Sequence, residues 1–383
     1  MLLVNLNVKL KSKGILLKVT KSIVHLVYSF GCGGLEKVIA NLINHSTEYD
    51  VEHVLISLTD DISMLEQVDK NIKVFVLGKK SGNDIKTHFK LFSLLKKIKP
   101  QAINTYNFGT IEYHMAAKLA GVPIRVHSDH GRGGDDPAGK NTLHNTFRKF
   151  IANFITEYIV VSYDLFQWVL NDLKINRKKL SLIFNGVAVP EKIEHSSSSP
   201  KVFVTVGRLD KVKNQKLLID AFALAVNTID GFEDCILNIV GDGPLYNELA
   251  AQINALNMND SIYLLGFRND ITTILKNSDI FVLSSVYEAM PMTILEAMAN
   301  KTPVVCTNVG GISKFISEKQ AWFVESKNCQ ALADKLNEVT INDEYRLEKV
   351  SNAFNLVSEK YEMKQMVKAY MTKYGIAEKL TLD

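Results

Sequence analysis

Cysteine is scarce in this sequence of 383 residues, which contains only Cys32, Cys235, Cys306 and Cys329. The four are scattered without the spacing of a metal site or of a disulfide framework, so we expect reduced thiols. Long apolar runs are also missing, because none approaches the roughly 20 residues that a membrane-spanning helix requires. Lysines interrupt the apolar clusters of residues 1–20, which therefore lack the continuous core of a signal peptide. We expect a cytoplasmic protein.

A strong overall charge is likewise absent, because the formal net charge is only +4. Residues 1–199 hold 26 Lys and Arg against 18 Asp and Glu, a net +8, whereas the remainder holds 19 against 23, a net −4. No dense Lys/Arg tract with interleaved aromatic residues occurs, so we expect no nucleic-acid partner. A basic half can draw a protein to an anionic membrane, at about 1 kcal/mol per Lys or Arg near the surface.

Phe147-Arg-Lys-Phe150 and Phe154 lie on a predicted helix of this basic half and are the candidate membrane contact. A solvated helix face is the alternative for this segment, and simple solubility is the alternative for the charge bias. If this segment does contact the membrane, we expect the protein to be peripheral on the inner face of the cytoplasmic membrane.

Short apolar runs alternate with amphipathic stretches along most of the chain. The first half places such runs at Ile23–Tyr28, Val54–Leu58, Val74–Leu77, Ala102–Thr105, Arg125–His127 and Tyr158–Val161. The second half places them at Val202–Val206, Cys235–Val240, Ile262–Leu265, Ile280–Leu283, Val304–Cys306 and Ala321–Val324. This alternation predicts βαβ units, and therefore two doubly wound α/β domains that each contain a parallel sheet.

The predicted domain boundaries follow from composition. Glu194-His-Ser-Ser-Ser-Ser-Pro200 is polar and cannot join a core, so residues 191–200 are the predicted linker. This linker separates a first domain at 21–190 from a second domain at 201–359. Residues 1–20 form a predicted N-terminal extension. A helical pattern from about Asp343 to Tyr374 leads into a last helix at 360–383.

The most informative segment is Glu288-Ala-Met-Pro-Met-Thr-Ile-Leu-Glu296, which directly follows an apolar run. Pro291 suits the first position of a helix, where its missing N–H costs nothing. Glu288 then lies in the turn and Glu296 inside the helix, and the unpaired N–H groups of Met290–Thr293 favour an anion between them. This arrangement suits a sugar nucleotide, with one acid for the ribose and the other for a hexose. An acidic helix start and a solvated helix face are the alternatives.

Two cations follow the predicted strand Val202–Val206, namely Arg208 and, five residues later, Lys213. Both belong to the carboxyl edge of the sheet, where open α/β sheets bind ligands. Arginine can grip two phosphate oxygens and lysine adds a mobile point charge, so the pair can neutralise a diphosphate without a metal. Exposed surface cations are the alternative interpretation.

The glycine-rich segment Gly31-Cys-Gly33-Gly34 has part of a dinucleotide-binding fingerprint. Glu36 occupies the position where the third glycine belongs, so the sequence predicts no nicotinamide cofactor. A tight strand-to-helix turn without a ligand is the alternative.

Several segments resemble one enzyme family in the same order along the chain. They are Ile23–Lys37, Arg125–Gly131, Ile183–Val187, Val206–Gln215, Gly241–Pro244 and the Glu-x7-Glu pattern. Together they resemble the retaining glycosyltransferases of family 4, from about residue 21 to residue 375, and most of all the branch that builds bacterial surface polysaccharides such as capsule and lipopolysaccharide. Asn185-Gly-Val-Ala188 departs from the more frequent Asn-Gly-Val-Asp of the family, in the hinge region.

The resemblance implies the GT-B fold, in which two Rossmann-like doubly wound domains face a cleft and the C-terminal helix crosses back to the first domain. The crossing is expected near Lys360–Lys364. The first domain would bind the acceptor and the second the nucleotide sugar.

The resemblance also implies a hexosyltransferase that moves a hexose, with retention, from a nucleotide diphosphate sugar to a saccharide or a lipid-linked saccharide. UDP-sugars are the commoner donors of this branch, and a GDP-mannose-dependent mannosyltransferase is the main alternative. The sequence contains no Asp-x-Asp, which removes the usual metal–diphosphate clamp of the other large glycosyltransferase fold, so neither a metal nor another cofactor is expected. A sugar-nucleotide epimerase and a non-catalytic scaffold of a polysaccharide assembly complex remain alternatives.

The predicted site residues take their roles from this resemblance. The catalytic residues are His130, Arg208, Lys213 and Glu288. The donor-binding residues are Gly33, Gly34, Gly241, Arg268, Met290, Pro291, Met292, Thr293 and Glu296. Arg208 and Lys213 would hold the diphosphate, Glu288 the sugar and Glu296 the ribose, whereas the loops of Gly241 and Arg268 would border the base. His130, preferred over His127 inside the strand, would meet the transferred sugar or the acceptor.

Overall fold

The computed structural model describes residues 21–31, 33–68, 71–82, 84–133, 136, 138–190, 193, 201–341 and 343–376. The predicted extension at 1–20, and the predicted linker apart from residue 193, lie outside these ranges. Contacts divide the described residues between two units. The first lies within Met1–Val161, Leu165–Ile183 and Val367–Asp383, and the second within Ser162–Asp164 and Phe184–Met366. The predicted domain limits at 190 and 359 each lie seven residues from these divisions, which follow Ile183 and Met366.

Parallel strands form the centre of the first unit. They are β1 (Lys21–Val27), β2 (Val51–Ser57), β3 (Lys73–Val76), β4 (Ala102–Tyr106), β5 (Ile124–Asp129), β6 (Glu157–Val160) and β7 (Leu180–Leu182). Their order in the sheet is β3-β2-β1-β4-β5-β6-β7. The inner strands β1 and β4 are buried on both faces, which is why they read as continuous apolar runs in the sequence. The short β7 was not predicted.

Helices follow most of these strands. They are α1 (Gly34–Asn44), α2 (Ile85–Ile98), α3 (His114–Leu119), α4 (Thr142–Ile151) and α5 (Tyr163–Asn171). α1 buries Val38, Ile39 and Leu42 at helical spacing, so one stripe of the helix joins the core while its other face is only partly buried.

The second unit repeats the same plan. Its strands are β8 (Val202–Val206), β9 (Ile236–Val240), β10 (Ile262–Gly266), β11 (Ile280–Leu283), β12 (Val304–Thr307) and β13 (Trp322–Val324). They pair in parallel in the order β10-β9-β8-β11-β12-β13. The helices are α6 (Gln215–Thr228), α7 (Tyr246–Ala255), α8 (Ile271–Lys276), α9 (Met292–Ala299), α10 (Ile312–Phe315), α11 (Cys329–Ile341), α12 (Asp343–Lys360) and α13 (Met363–Lys373).

An aromatic cluster fixes α6 against the sheet of the second unit. The rings of Phe203 on β8, Phe222 on α6 and Phe232 lie 5.3 to 5.7 Å apart and are buried. Tilted and edge-to-face contacts at this distance add to the free energy of burying the rings. The cluster thereby packs the second half of α6 against the amino end of β8.

The continuous helical pattern predicted from about Asp343 to Tyr374 is broken in the structure. α12 ends at Lys360 and α13 begins at Met363. The break arises because Val187 donates its N–H to the Tyr361 carbonyl (2.9 Å) and accepts from the Met363 N–H (3.0 Å), which draws the chain into an isolated parallel bridge. Beyond Met366 the chain belongs to the first unit, where the buried Tyr374 hydroxyl accepts from Asn104 (2.8 Å).

Cys235, Cys306 and Cys329 are free thiols, as predicted, and Cys32 lies outside the described residues. None of the helices in the described part of the chain has both the length and the apolar character needed to span a bilayer.

Candidate active site

Loops at the carboxyl ends of neighbouring strands form the candidate site of the second unit. β8 has β9 on one side and β11 on the other. The chain leaves β8 into Gly207-Arg208, β9 into Gly241-Asp242 and β11 into Ser284–Pro291. The strands that follow β8 in the chain are added on one side of it and then on the other. Such a reversal of strand order opens a crevice at the carboxyl ends of the strands, and α/β folds bind ligands there. The sheet order therefore gathers the predicted donor-site segments at one edge.

Gly241 allows two of these loops to touch. Its φ is +139°, and a Cβ atom at this position would lie 2.0 Å from the Gly207 carbonyl oxygen. The Leu209 N–H donates to the Asp242 carbonyl (3.0 Å) and keeps the loops together. Any residue other than glycine would push the Gly207-Arg208 turn away from β9.

The loop that carries both predicted cations is shaped by Asp210. One carboxylate oxygen of Asp210 accepts the backbone N–H groups of Val212 (2.9 Å) and Lys213 (3.0 Å). The Arg208 side chain is 65% exposed, and its Nε is 3.9 Å from Asp210. Its guanidinium therefore remains open to an anion at the sheet edge.

Lys213 and Glu288 are in direct contact. Lys213 Nζ lies 2.5 Å from Glu288 Oε1, and the Ser285 hydroxyl donates to the same oxygen at 2.7 Å. Ser284 ties the two loops together by donating to the carbonyls of Lys213 (3.1 Å) and Asn214 (3.0 Å). Glu288 is largely buried, so its negative charge is balanced inside the protein by the lysine.

Gly310 and Gly311, which sequence reasoning missed, hold the backbone of Glu288. Gly310 has a φ of +57°, and its Cβ would lie 2.0 Å from the Glu288 carbonyl oxygen. Gly311 donates its N–H to that same oxygen at 2.7 Å. The signal available in the sequence was a Gly-Gly pair four residues after the end of the predicted strand Val304–Cys306, which lies beside the strand that leads to Glu288.

α9 begins one residue later than the sequence predicted. Pro291 is the N-cap, with φ −70° and ψ +124°, and not the first helical residue. Ends of helices shift by a residue in this way because the cap is only half helical. Met290, Met292 and Glu296 are buried, and Glu296 lies inside the helix as predicted. Within the described residues, no partner reaches the buried Thr293 hydroxyl.

Arg268 follows β10 and is engaged by its own loop. Its Nε and Nη2 donate to the two carboxylate oxygens of Asp270 at 2.8 and 2.7 Å. This bidentate contact raises the pKa of the guanidinium, which is exposed. The side chain of Arg268 is therefore already paired, and the Gly266 carbonyl of the same loop accepts the Gly241 N–H (2.8 Å).

The other predicted residues, Gly33, Gly34 and His130, belong to the first unit. Gly33 caps α1 in extended backbone at φ −163°, and a Cβ on Gly34 would meet nothing within 4 Å. Neither glycine is required by the local backbone. Their loop follows β1, the strand from which the first sheet extends in both directions.

His130 directly follows β5, and its backbone N–H donates to the Asn107 side chain (2.8 Å). Burial lowers the pKa of its imidazole to about 4, so the ring is neutral at pH 7. Its neighbour Asp129 is fully buried and accepts from the Tyr158 hydroxyl (2.5 Å). Arg148 Nη2 and His127 Nε2 lie 3.7 and 3.3 Å from Asp129, and they hold the pKa of this carboxyl well below its usual range.

This burial corrects one sequence expectation. Arg148, placed by the sequence on the candidate membrane contact, is only 1% exposed and its guanidinium lies 4.7 Å from the Phe108 ring. Its buried partner Asp129 accounts for the position, because a buried carboxylate without a charged partner would strongly destabilise the fold. Phe147, Lys149 and Phe150 remain on the exposed face of α4.

In the parts of the chain that the structure describes, no three His, Cys, Asp or Glu side chains come together in a way that could hold a metal ion. The expected independence of a metal stays a prediction.

Two family models match adjacent parts of the chain. The model described as Glycosyltransferase Family 4 matches residues 32–189, and the one described as Glycosyl transferases group 1 matches residues 190–356. Among characterised relatives, the UDP-Gal:alpha-D-GlcNAc-diphosphoundecaprenol alpha-1,3-galactosyltransferase of Escherichia coli is 29% identical over 79% of this chain and 85% of its own.

Another relative is the N-acetylgalactosamine-N,N'-diacetylbacillosaminyl-diphospho-undecaprenol 4-alpha-N-acetylgalactosaminyltransferase of Campylobacter jejuni. It is 28% identical over 84% of this chain and 90% of its own.

Solved structures confirm the predicted fold class. Anabaena HepE in complex with UDP and glucose matches 93% of this chain and 99% of its own, with a TM-score of 0.77 and 19% identity. Staphylococcus aureus TarM, in a complex that contains UDP, matches 92% and 99% with a TM-score of 0.76 and 15% identity. The chain therefore belongs to the family 4 glycosyltransferases of the GT-B fold, as its ordered motifs predicted.

Proposed function

We propose that this glycosyltransferase moves a hexose from a UDP-sugar to a lipid-linked saccharide during synthesis of a bacterial surface polysaccharide, with retention at the anomeric carbon. The names of the E. coli and C. jejuni relatives state acceptors linked to diphosphoundecaprenol, and both name a transfer that forms an alpha linkage. The observation that carries the proposal is the contact between Lys213 and Glu288 beside the start of α9.

This contact joins the two parts of the donor grip, which are the Arg208–Lys213 loop and the Glu288–Glu296 segment. One N–H of Lys213 serves Glu288, and the ammonium has two further N–H groups for a diphosphate. Arg208 adds an exposed guanidinium from the same loop. The unpaired N–H groups in the first turn of α9 add a third positive source. The diphosphate would lie among these groups, with the hexose at Glu288 and the ribose at Glu296.

The same groups explain the reaction. The anomeric carbon passes through an oxocarbenium-like state as its bond to the diphosphate oxygen breaks. Arg208, Lys213 and the helix start stabilise the charge that grows on the departing diphosphate, which is their largest contribution to the rate. The acceptor oxygen then bonds to the anomeric carbon on the face that the diphosphate leaves, and the departing phosphate oxygen accepts the proton of the acceptor hydroxyl. No metal is required in this scheme.

His130 in the first unit would act by hydrogen bonding and not by charge. Its pKa of about 4 keeps it neutral at the pH of the cell, so one ring nitrogen can donate and the other accept. A neutral imidazole can hold a sugar hydroxyl by hydrogen bonding without adding a positive charge that would itself attract the diphosphate.

Exposed apolar side chains on neighbouring helices of the first unit support contact with the membrane that carries the acceptor. They are Ile85 and Phe89 on α2, Met115 and Leu119 on α3, and Leu143, Phe147 and Phe150 on α4. Lys118 and Lys149 lie among them, and Lys118 Nζ is 5.1 Å from the Phe154 ring. Apolar groups interspersed with lysines suit an anionic bilayer surface.

A donor panel tests the proposed function. The protein is incubated with UDP-glucose, UDP-galactose, UDP-N-acetylhexosamines or GDP-mannose, and with saccharides on diphosphoundecaprenol, with and without EDTA. We expect turnover of a UDP-sugar, an α-linked product by NMR and no loss of rate in EDTA. A β-linked product would overturn retention, loss of activity in EDTA would overturn metal independence, and preference for GDP-mannose would replace the donor.

A further inference from the structure

We propose that Ser285 is a positioning residue that decides which oxygen of Glu288 meets the transferred sugar. This inference rests on the proposed function, because it concerns the same donor site. Ser285 is fully buried, and its hydroxyl donates to Glu288 Oε1 at 2.7 Å. Lys213 Nζ reaches the same oxygen at 2.5 Å. Both contacts that the described residues make with this carboxylate therefore use Oε1, and neither uses Oε2.

Ser285 is itself held from several sides. Its carbonyl accepts from the Thr307 hydroxyl at 2.6 Å, which anchors it to the end of β12. The next residue, Val286, donates its N–H to the Val212 carbonyl (2.8 Å). Gly311 holds the Glu288 carbonyl at 2.7 Å. The backbone on both sides of the serine is thus fixed, so its hydroxyl can act as a rigid stop for the carboxylate.

Saturation of one oxygen has a chemical consequence for the other. A carboxylate accepts through two oxygens, with about four lone-pair sites in all. With Oε1 occupied by a hydroxyl and an ammonium, Oε2 is the oxygen that can accept from hydroxyls of a hexose. A carboxylate held by lysine alone could rotate and pair through either oxygen, because an ion pair has little angular preference.

Lys213 keeps its role toward the diphosphate whether or not the serine is present. One of its N–H groups serves Glu288 Oε1, and the other two stay available to the donor diphosphate. The loss in Ser285→Ala is therefore expected in turnover of the nucleotide sugar, whereas the nucleoside diphosphate alone does not touch Glu288 and should bind as before.

The test compares Ser285→Ala with wild type in kcat/KM for the preferred nucleotide sugar and in the Kd of the free nucleoside diphosphate. We expect kcat/KM to fall roughly tenfold, the lower end for a hydrogen bond to a charged group, and the Kd to change less than about twofold. Ser278→Ala is the matched control, because Ser278 is buried in the same unit and its hydroxyl donates to the Ile274 carbonyl (2.8 Å) before the amino end of β11, whereas Glu288 follows the carboxyl end of that strand. It should leave both quantities unchanged.

A double-mutant cycle identifies the route of the effect. If Ser285 acts through Glu288, then Ser285→Ala should change kcat/KM by less than about twofold in a Glu288→Ala background. Ser285→Cys, which is nearly isosteric and keeps a weak S–H donor, should fall between wild type and Ser285→Ala, and replaces the alanine variant if that variant does not fold.

The outcomes separate the inference from the proposed function. Turnover by the wild type with unchanged kcat/KM in Ser285→Ala, or with the full loss retained in the Glu288→Ala background, overturns the role of Ser285 and leaves the function standing. A Kd that rises as much as kcat/KM falls also overturns it, since the serine would then shape the whole site. A wild type that turns over no nucleotide sugar overturns both.

Discussion

Arg208 and Lys213 follow the same strand, yet they lie in different electrostatic surroundings. Arg208 is 65% exposed and only loosely near Asp210, whereas Lys213 is 23% exposed and paired with a buried carboxylate. The arginine therefore keeps most of its hydration until a ligand arrives, and the charge of the lysine is already compensated by Glu288. A diphosphate would displace water from one cation and share the other with Glu288.

Arg208→Ala should lower kcat/KM roughly 10- to 150-fold, corresponding to a lost charged hydrogen bond of about 1.5 to 3 kcal/mol. Steady-state kinetics with the preferred donor measure this. Lys211→Ala is the matched control, because Lys211 is an exposed cation of the same loop, and it should stay close to wild type. Equal kinetics of Arg208→Ala and wild type would remove Arg208 from the donor grip.

At the residue scale the sequence was informative where a motif names a chemical group. Two patterns predicted residues that the sheet order gathers at one edge. They are the Glu-x7-Glu spacing and the places of Arg208 and Lys213 after a predicted strand. The direct bond between Lys213 and Glu288 was not predictable, because the two are 75 residues apart and only tertiary structure brings them together. The burial of Arg148 was missed for the same reason, since its partner Asp129 is on another element.

Among the elements, the turn between β12 and α10 has an unexpected importance. Gly310 has a left-handed backbone conformation, and it lies so close to the Glu288 carbonyl that a Cβ atom would not fit between them. Elements that only pack can shift by a few tenths of an ångström, but this turn carries a backbone hydrogen bond to the residue predicted to orient the sugar. The position of Glu288 therefore depends on a neighbouring strand as well as on its own.

Gly310→Ala should destabilise the protein by about 1 to 3 kcal/mol and lower kcat/KM, because the new Cβ must move the Glu288 carbonyl. Gly231→Ala is a useful comparison, since Gly231 also has a positive φ (+82°) but has nothing within 4 Å of the added atom. It should cost stability only. Chemical denaturation and steady-state kinetics check both, and full activity in Gly310→Ala would refute the coupling to Glu288.

The helices of the first unit offer a second prediction at this scale. The double variant Leu143→Asp/Phe150→Asp on α4 should sediment less with vesicles that contain anionic lipid. It replaces two apolar side chains with negative charges, which the anionic lipid repels. Ile341→Asp/Leu347→Asp alters exposed apolar residues of the second unit in the same way and should bind vesicles as wild type does. Sedimentation that ignores anionic lipid, or equal loss in both variants, would contradict docking through α4.

The boundaries of the strands and helices show what the hydrophobic periodicity and composition of the sequence can predict. Twelve apolar runs match strands within a few residues, because buried parallel strands have continuous apolar sequence. β7 was missed since Leu180-Ser-Leu182 is too short to stand out. The break at Tyr361 lies in an uninterrupted helical pattern, and it exists only because Val187 supplies a bonding partner from a distant part of the chain.

Across the whole molecule, the first unit is notable for histidines buried in neutral form. His25 is fully buried with its pKa lowered to about 3, and the pKa values of His114 and His127 are also lowered by burial. His25 belongs to a chain of hydrogen bonds. The Ser46 hydroxyl donates to the Ile43 carbonyl, so it accepts from the His53 ring (2.8 Å). The other nitrogen of His53 then accepts from His25 (2.9 Å), and His25 in turn accepts from the Tyr106 hydroxyl (2.7 Å).

A lowered folded-state pKa means that the unfolded chain binds more protons below about pH 6.5, so stability is present at neutral pH and falls on acidification. Between pH 7 and pH 5 each fully buried histidine should cost about 2 kcal/mol. Urea denaturation at the two pH values measures this difference. A stability that does not change between pH 7 and pH 5 would contradict burial of the histidines.

The return of the chain to its first unit at Val367 has a consequence for fragments. A single cut in 191–200 separates the polypeptide into two pieces, but the second piece still carries Tyr370, Met371 and Tyr374, whose side chains are buried in the first unit. The nicked protein should therefore elute as one species and dissociate only when denatured. Removal of residues from 367 onward would uncover the part of the first unit that buries these side chains, so the C-terminal segment belongs to the fold of the first unit although it follows the second unit along the chain.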